Sequence, residues 1–236
     1  MKRLVGCPCA VQLFDLFEDR DHAHLVMELC TGSDLRRHLR AAGGALPEAE
    51  AAEVMHSVLQ FLADCEQHGV MYGDVKPANF LLKFDVSAAR PAGLAKPPLV
   101  VKGVDFGCSQ LLPAGGKLSR RTGTPAYWAP EVFLCHYDHQ ADAWSAGVLL
   151  YELLCGRLPF WDSVAGCSPK DIQQGVLYGT VDEGNARWRA LSPEARDLAL
   201  ALLDRDPATR PTARACLDHP WLVRNGQSHP EDKIWL

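Results

Sequence analysis

Apolar residues fall at two different spacings along the chain, and those spacings divide it into elements. From Val11 to Phe17 and again from Ala23 to Cys30, short apolar runs flank a polar turn at Asp19 to Asp21, which predicts two adjacent strands ended by Thr31-Gly32-Ser33-Asp34. Pro47, followed by Glu48 and Glu50, marks a helix start: proline has no amide to leave unpaired there, and acidic side chains suit the positive end of a helix. Ala51, Val54, Met55, Val58, Leu62 and Cys65 then recur at helical spacing until Gly69, so one long amphipathic helix is expected. Phe80-Leu81-Leu82 and Leu99-Val100-Val101 read as small strands around an enlarged Ala/Pro/Gly-rich loop, Ser87 to Pro98. Beyond Thr122 the pattern is helical. Ala141 to Cys155 is an apolar helix, Ser192-Pro193-Glu194 opens another that runs through Leu203, and Pro211 starts a short one toward Leu217.

Composition narrows the class of molecule. At 236 residues, 47% apolar and 22% charged, the chain is globular, and folding should bury roughly 70–75% of the surface an unfolded chain exposes, so neither disulfides nor a metal are needed for stability. Its 24 basic and 29 acidic residues form no block of one sign, which argues against a nucleic-acid binder. The nine cysteines are scattered and never spaced C-x-x-C, which predicts neither a disulfide framework nor a zinc ribbon and places the protein in a reducing compartment, cytoplasmic or nuclear. His22/His24 and His136/His139 lack a matching second pair and read as surface histidines. The basic N-terminus meets Asp15, Glu18 and Asp19 early, and Glu152 interrupts the apolar stretch Ala143 to Cys155, so neither a signal peptide nor a membrane span is expected.

The chemistry is carried by three segments in fixed order: Tyr72-Gly73-Asp74-Val75-Lys76-Pro77-Ala78-Asn79, then Val104-Asp105-Phe106-Gly107, then Gly123-Thr124-Pro125-Ala126-Tyr127-Trp128-Ala129-Pro130-Glu131. Any one of them alone reads as a turn after a strand. Together, and followed by Asp142, they resemble the catalytic domain of eukaryotic protein kinases of the serine/threonine type, from about Val11 to Leu222. Leu25-Val26-Met27-Glu28-Leu29-Cys30, Asp74-Val75-Lys76-Pro77 and Arg210-Pro211-Thr212 before His219-Pro220-Trp221 lean toward the calcium- and calmodulin-dependent group. The resemblance implies an α+β, protein-kinase-like fold: a mostly helical large lobe over 31–222, preceded at 1–30 by the last strands and hinge of a truncated β small lobe, with a tail at 223–236.

The resemblance also implies transfer of the γ-phosphoryl group of ATP to a protein Ser/Thr hydroxyl, which requires positioning and neutralisation of phosphate charge more than covalent chemistry. Asp74 would receive the hydroxyl, Lys76 would bring a cation beside the phosphate, and Thr124 would line the substrate groove and touch Asp74. Asn79 and Asp105 would offer hard oxygens to Mg²⁺. For adenine, Met27 would gate the rear pocket, the backbone of Glu28 and Cys30 would face the ring edge, Asp34 would lie near the ribose and Leu81 beneath the ring. Plain core packing is the competing reading for the apolar members. Glu131 and Arg210 would form a buried ion pair, and Asp142 would hold the catalytic-loop backbone.

The chain departs from the family in several places. Lys2 is the only lysine before Asp74, no glutamate precedes Glu18, and no G-x-G occurs before Asp74, so the Gly-rich loop, strand lysine and helix glutamate of the family have no counterpart in it. Two readings follow: a kinase whose gene extends upstream, or a pseudokinase that offers its large lobe as a binding surface. Tyr72-Gly73 replace the usual His-Arg, which removes the arginine that reads a phosphate on the activation segment, so phosphorylation at Ser119 or Thr122 is not expected to be a switch. Ala78 stands where the calcium-dependent group has glutamate, so a preference for arginine in the protein substrate should be weaker.

Overall fold

The computed structural model describes residues 1–86 and 98–226; most of the expected loop, 87–97, lies outside them. Strands β1 (Leu13–Glu18) and β2 (Ala23–Met27) pair antiparallel, with Leu16 opposite Leu25. Their turn is held by Asp19, whose carboxylate accepts from the amides of Asp21 and His22 at 2.9 and 2.8 Å, the local bond that makes aspartate a turn residue. The ribbon packs little apolar surface: Phe14 is 68% exposed, and Leu29 just beyond β2 is 82% exposed. The second strand ends earlier than Cys30: the Glu28 amide still donates to the Gln12 carbonyl opposite it, but the Gln12 amide donates to the Glu28 carboxylate at 3.2 Å instead of returning to the Glu28 carbonyl.

A short helix follows, α1 (Leu35–Ala41), capped by the Asp34 carboxylate on the Arg37 amide. The long amphipathic helix forms as α2 (Glu48–Gln67), and Gly69, at φ +64°, turns the chain out of it. Two small ribbons come next: β3 (Val70–Met71) pairs with β6 (Gln110–Leu111), and β4 (Phe80–Leu82) with β5 (Val101–Gly103), both antiparallel. The strand expected at Leu99 therefore begins two residues later. Glu53 on α2 takes the Leu99 amide at 2.8 Å, and the Val100 amide turns back to the Pro98 carbonyl, so neither is free for a ladder. At Gly103 a Cβ would come within 2.6 Å of the Phe61 ring, so only glycine lets β5 pass there.

The rest is helical, as the pattern predicts: α3 (Pro130–Phe133), α4 (Gln140–Cys155), α5 (Pro169–Tyr178), α6 (Ala186–Ala190), α7 (Pro193–Leu202), α8 (Ala213–Cys216) and α9 (Pro220–Gly226). Helix α4 is apolar all round because it is buried all round, packed between α2 and α7. Glu48, at the start of α2, accepts from Ser192 before α7 and from the Trp221 indole at 2.8 Å, fastening α9 to the same core. Leu4, Cys7, Cys9 and Ala10 join that core, and Gly103 donates to the Cys9 carbonyl, which lays the N-terminal segment beside β5. This is the expected α+β arrangement, a helical body preceded by a strand pair. No helix among the described residues is long and apolar enough to cross a membrane.

Candidate active site

The loop between β3 and β4 is fixed from below by one carboxylate. Asp142, in the first turn of α4, accepts from the amides of Tyr72 and Gly73 at 2.8 and 2.9 Å. Burial pushes its carboxyl up to about 7 even though both amide bonds favour the charged form. Tyr72 is fully buried, edge-on to Phe61 and Phe106, and its hydroxyl donates to the Val104 carbonyl at 2.5 Å. The catalytic-loop candidate and the Asp105 segment are thereby joined through a side chain.

Asp74 sits above this base, 7% exposed, with three donors on its carboxylate. Lys76 Nζ donates to Oδ2 at 2.7 Å, Asn79 Nδ2 to Oδ2 at 2.9 Å, and Thr124 Oγ1 to Oδ1 at 2.8 Å. Burial acts to raise its pKa, but the hydrogen bonds from Lys76, Thr124 and Asn79 outweigh burial and hold the carboxyl below its ordinary range. The Lys76 ammonium also reaches Thr124 Oγ1 at 2.9 Å, closing a three-membered ring of contacts. Gly123 makes the approach feasible: at φ +91°, a Cβ there would lie 2.1 Å from the Gly73 carbonyl oxygen.

Asn79 and Asp105 meet through the backbone, since the Val104 amide donates to the Asn79 carbonyl at 3.0 Å. Asp105 is exposed, adopts φ +53°, and uses one carboxylate oxygen on the Gly107 amide at 3.1 Å. Among the described residues no cation pairs with it. The Asn79 amide nitrogen donates twice into Asp74, to a side-chain oxygen and to the main-chain carbonyl, which orients its own oxygen away from Asp74.

The hinge candidates are less uniform. Met27 closes β2 and is partly exposed. Only part of the expected Glu28 backbone edge is available, because its amide is spent on Gln12; its carbonyl and the Cys30 amide have no partner among the described residues. The Glu28 side chain instead meets Lys102 Nζ at 2.6 Å, and that lysine is 5% exposed at its side chain. Asp34 and Leu81 lie side by side through an isolated antiparallel bridge, and the Gly32 amide bonds the Leu82 carbonyl. Burial raises the Cys30 thiol pKa, and its neighbour Glu28 adds to that, so the thiol stays protonated.

A protein kinase domain profile matches residues 1–222. The chain belongs to the protein kinase family. It is 38% identical over 222 residues to calcium-dependent protein kinase 8 of Oryza sativa subsp. japonica, covering 94% of this chain and 38% of that protein. To calcium-dependent protein kinase 9 of the same organism it is 39% identical over 222 residues, covering 94% of this chain and 36% of that protein. To calcium-dependent protein kinase 8 of Arabidopsis thaliana it is 37% identical over 232 residues, covering 98% and 40%. The chain thus spans about two fifths of the length of these relatives.

Within this kinase domain, Arg210 forks onto Glu131 at 2.6 and 3.2 Å, both residues being buried, and its guanidinium lies 5.3 Å from the Trp144 ring centre. Sequence reasoning passes over three other groups. Gln110 Nε2 donates to the Tyr137 hydroxyl at 3.0 Å and reaches Thr122 Oγ1 at 3.4 Å. Tyr127 donates to Glu152 at 2.5 Å while Ser145 donates to the Tyr127 carbonyl at 2.6 Å. Lys102 carried a readable signal, a charge inside the apolar run Val100 to Val104; Gln110 carried none. Beside Lys76 and Thr124 opens a cavity of about 150 Å³ that Arg36, Pro77, Ala78 and Tyr127 also line. A larger cavity, about 580 Å³, lies elsewhere, against Glu66, Leu112, Lys117 and His139, and includes none of the residues from Tyr72 to Asn79.

Proposed function

We propose that this site transfers the γ-phosphoryl group of ATP to a serine or threonine hydroxyl of a protein substrate, with Asp74 receiving the hydroxyl proton. The observation that carries the reading is the set of donors around Asp74. A carboxylate offers about four acceptor positions, and three are filled by Lys76, Asn79 and Thr124. The remaining one is on Oδ1, the oxygen that Gly123 leaves approachable. The same donors keep the group ionised at neutral pH and hold it still, as a general base requires. Lys76 stands beside the position where charge develops, and Thr124 ties the activation segment to both.

Asn79 and Asp105 fit Mg²⁺ in kind: both present hard oxygens, one oriented by Asp74 and the other without a competing cation among the described residues. When bound there, Mg²⁺ would neutralise charge on phosphate oxygens. Adenine would lie along the Glu28 carbonyl and Cys30 amide with Met27 behind it, Leu81 beneath and Asp34 toward the ribose. In this reading residues 1–30 are part of a small lobe, 31–222 form the large lobe, and 223–236 are a tail.

The test is transfer of radiolabelled phosphate from ATP to a mixture of acidic and basic acceptor proteins, with Asp74→Asn as control. The expected result is Mg²⁺-dependent labelling that the variant loses. Its rate should fall below the usual kinase range of roughly 1–100 s⁻¹, because this chain supplies neither a Gly-rich loop nor a strand lysine before Asp74. Labelling no greater than that of Asp74→Asn overturns the reading. The same lack of a strand lysine favours a second one, a pseudokinase that binds a partner without transfer.

A further inference from the structure

The cavity of about 150 Å³ beside the proposed base has room for about five waters at liquid density, the space of one substrate side chain. Its walls decide which side chain. Lys76 is neutralised by Asp74, and Ala78 and Pro77 present only carbon. Arg36 is exposed at the second position of α1, and its guanidinium makes no ion pair among the described residues. Tyr127 closes the remaining side and donates its hydroxyl to Glu152 behind it. Glu152 is thus held by Tyr127 through one oxygen and is not among the residues that line the cavity. Burial also raises its pKa, more than the Tyr127 bond and the Arg36 charge lower it. A charge-bearing substrate side chain entering here meets a guanidinium that has no ion pair among the described residues, and no carboxylate among the residues that line the cavity.

We infer that Arg36 reads an acidic side chain of the protein substrate, so the site selects Ser or Thr flanked by Asp or Glu over the same residue flanked by Arg. The inference rests on the phosphoryl-transfer reading above for calling the bound peptide a substrate. An arginine in this cavity would meet Arg36 as a like charge, and a carboxylate would gain a fork of two hydrogen bonds.

The experiment measures binding, by fluorescence anisotropy, of the full chain to serine peptides carrying Glu, Ala or Arg in turn at each flanking position. Glu at one position should bind about three- to fivefold more tightly than Arg there, the reach of a single partly exposed ion pair. Arg36→Glu should reverse the order, and Arg36→Lys should keep it in weaker form. Folding is not at risk, since Arg36 is exposed and an acid in the first helical turn is favourable; melting curves check this. Equal or tighter binding of Arg peptides, a Glu preference that survives in Arg36→Glu, or no binding by any peptide each overturns the inference. Acidic peptides that bind through Arg36 without being phosphorylated would keep this inference and remove the catalytic reading. Phosphorylation of peptides irrespective of flanking charge would do the reverse.

Discussion

The Thr124 hydroxyl bridges Asp74 and Lys76, at 2.8 and 2.9 Å, across a chain separation of 50 residues from the acid. A hydroxyl has one proton and two lone pairs, so donating to the carboxylate and accepting from the ammonium uses it in one fixed sense. Thr124→Ala leaves the Asp74–Lys76 pair intact and removes the only side-chain bond from the activation segment to either of them among the described residues. Phosphoryl transfer should slow about tenfold to a hundredfold, roughly 1.4–2.8 kcal/mol in barrier, with nucleotide affinity unchanged. Thr124→Ser should stay within about threefold of the parent. Steady-state kinetics resolve both, and an unaffected Thr124→Ala would show the bridge to be incidental.

Asp142 links stability to pH. Its folded pKa is raised to about 7 from a reference of 3.8, so between these values the folded chain holds a proton that the unfolded chain has released. Stability from this group is therefore greatest in acid and falls as pH rises through the window. Urea unfolding at about pH 5 and about pH 7.5 should show a smaller loss of stability for Asp142→Asn than for the parent. A slope unaltered by the substitution would remove Asp142 as the titrating group. Asp142→Ala should cost more at both pH values, since the Tyr72 and Gly73 amides would each be left buried at about 1–3 kcal/mol.

Arg210 makes four hydrogen bonds from its buried guanidinium. Besides Glu131, it donates to the main-chain carbonyls of Asp204 and Gln140 and stacks on Trp144. Arg210→Ala strands a buried carboxylate and should cost about 3–5 kcal/mol in chemical denaturation. Arg210→Met combined with Glu131→Gln should recover much of that, because the penalty belongs to the unpaired charge more than to the lost pair. A double variant no more stable than Arg210→Ala would place the cost in the carbonyl contacts. Arg210→Lys should behave closer to Ala than to Arg, as one ammonium cannot serve both Glu131 oxygens and two carbonyls.

What the sequence made legible depended on how local the cause was. Helices α2 and α4 could be read because their patterns extend over four or more turns, and Asp74, Lys76 and Asn79 because they share one short segment. Helix α1 is too short for periodicity, and its one local sign is Asp34 as a cap. The displaced start of β5 has its cause in Glu53, 46 residues earlier. Lys102 with Glu28, 74 residues apart, and Gln110 with Tyr137, 27 apart, acquire their roles only when the ribbons and α4 bring them together. No pattern along the chain states such a pairing.

The activation segment supplies the last expectation, and here the structure separates two hydroxyls that the sequence treats alike. Ser119 is exposed, whereas Thr122 is half-buried and donates to the Cys108 carbonyl at 3.2 Å. Gln110 stands 3.4 Å from Thr122 Oγ1 and also bonds Tyr137, whose hydroxyl donates to the Arg120 carbonyl. Thr122 itself is thus held by neutral hydrogen bonds, while Arg121 beside it is turned to the Phe133 carbonyl, and Gly73, whose Cβ position would lie 3.4 Å from Thr122 Oγ1, brings no cation. A phosphate adds about −1.5 to −2 charge and orders a loop only where a positioned cation receives it. Ser119→Glu should therefore leave transfer within about threefold, roughly 0.7 kcal/mol in barrier. Thr122→Glu should slow it more than about tenfold, since a carboxylate cannot donate to the Cys108 carbonyl oxygen as the Thr122 hydroxyl does and would face it acceptor to acceptor. Gly73→Arg would not repair this cheaply: at φ +80° a side chain costs roughly 1–2 kcal/mol, and its Cβ would press to 3.1 Å of the Cys108 oxygen. Kinetics of chain phosphorylated at Ser119 or at Thr122 decide the matter. A rise of tenfold or more from either would mean that a cation other than one at position 73 reads the phosphate.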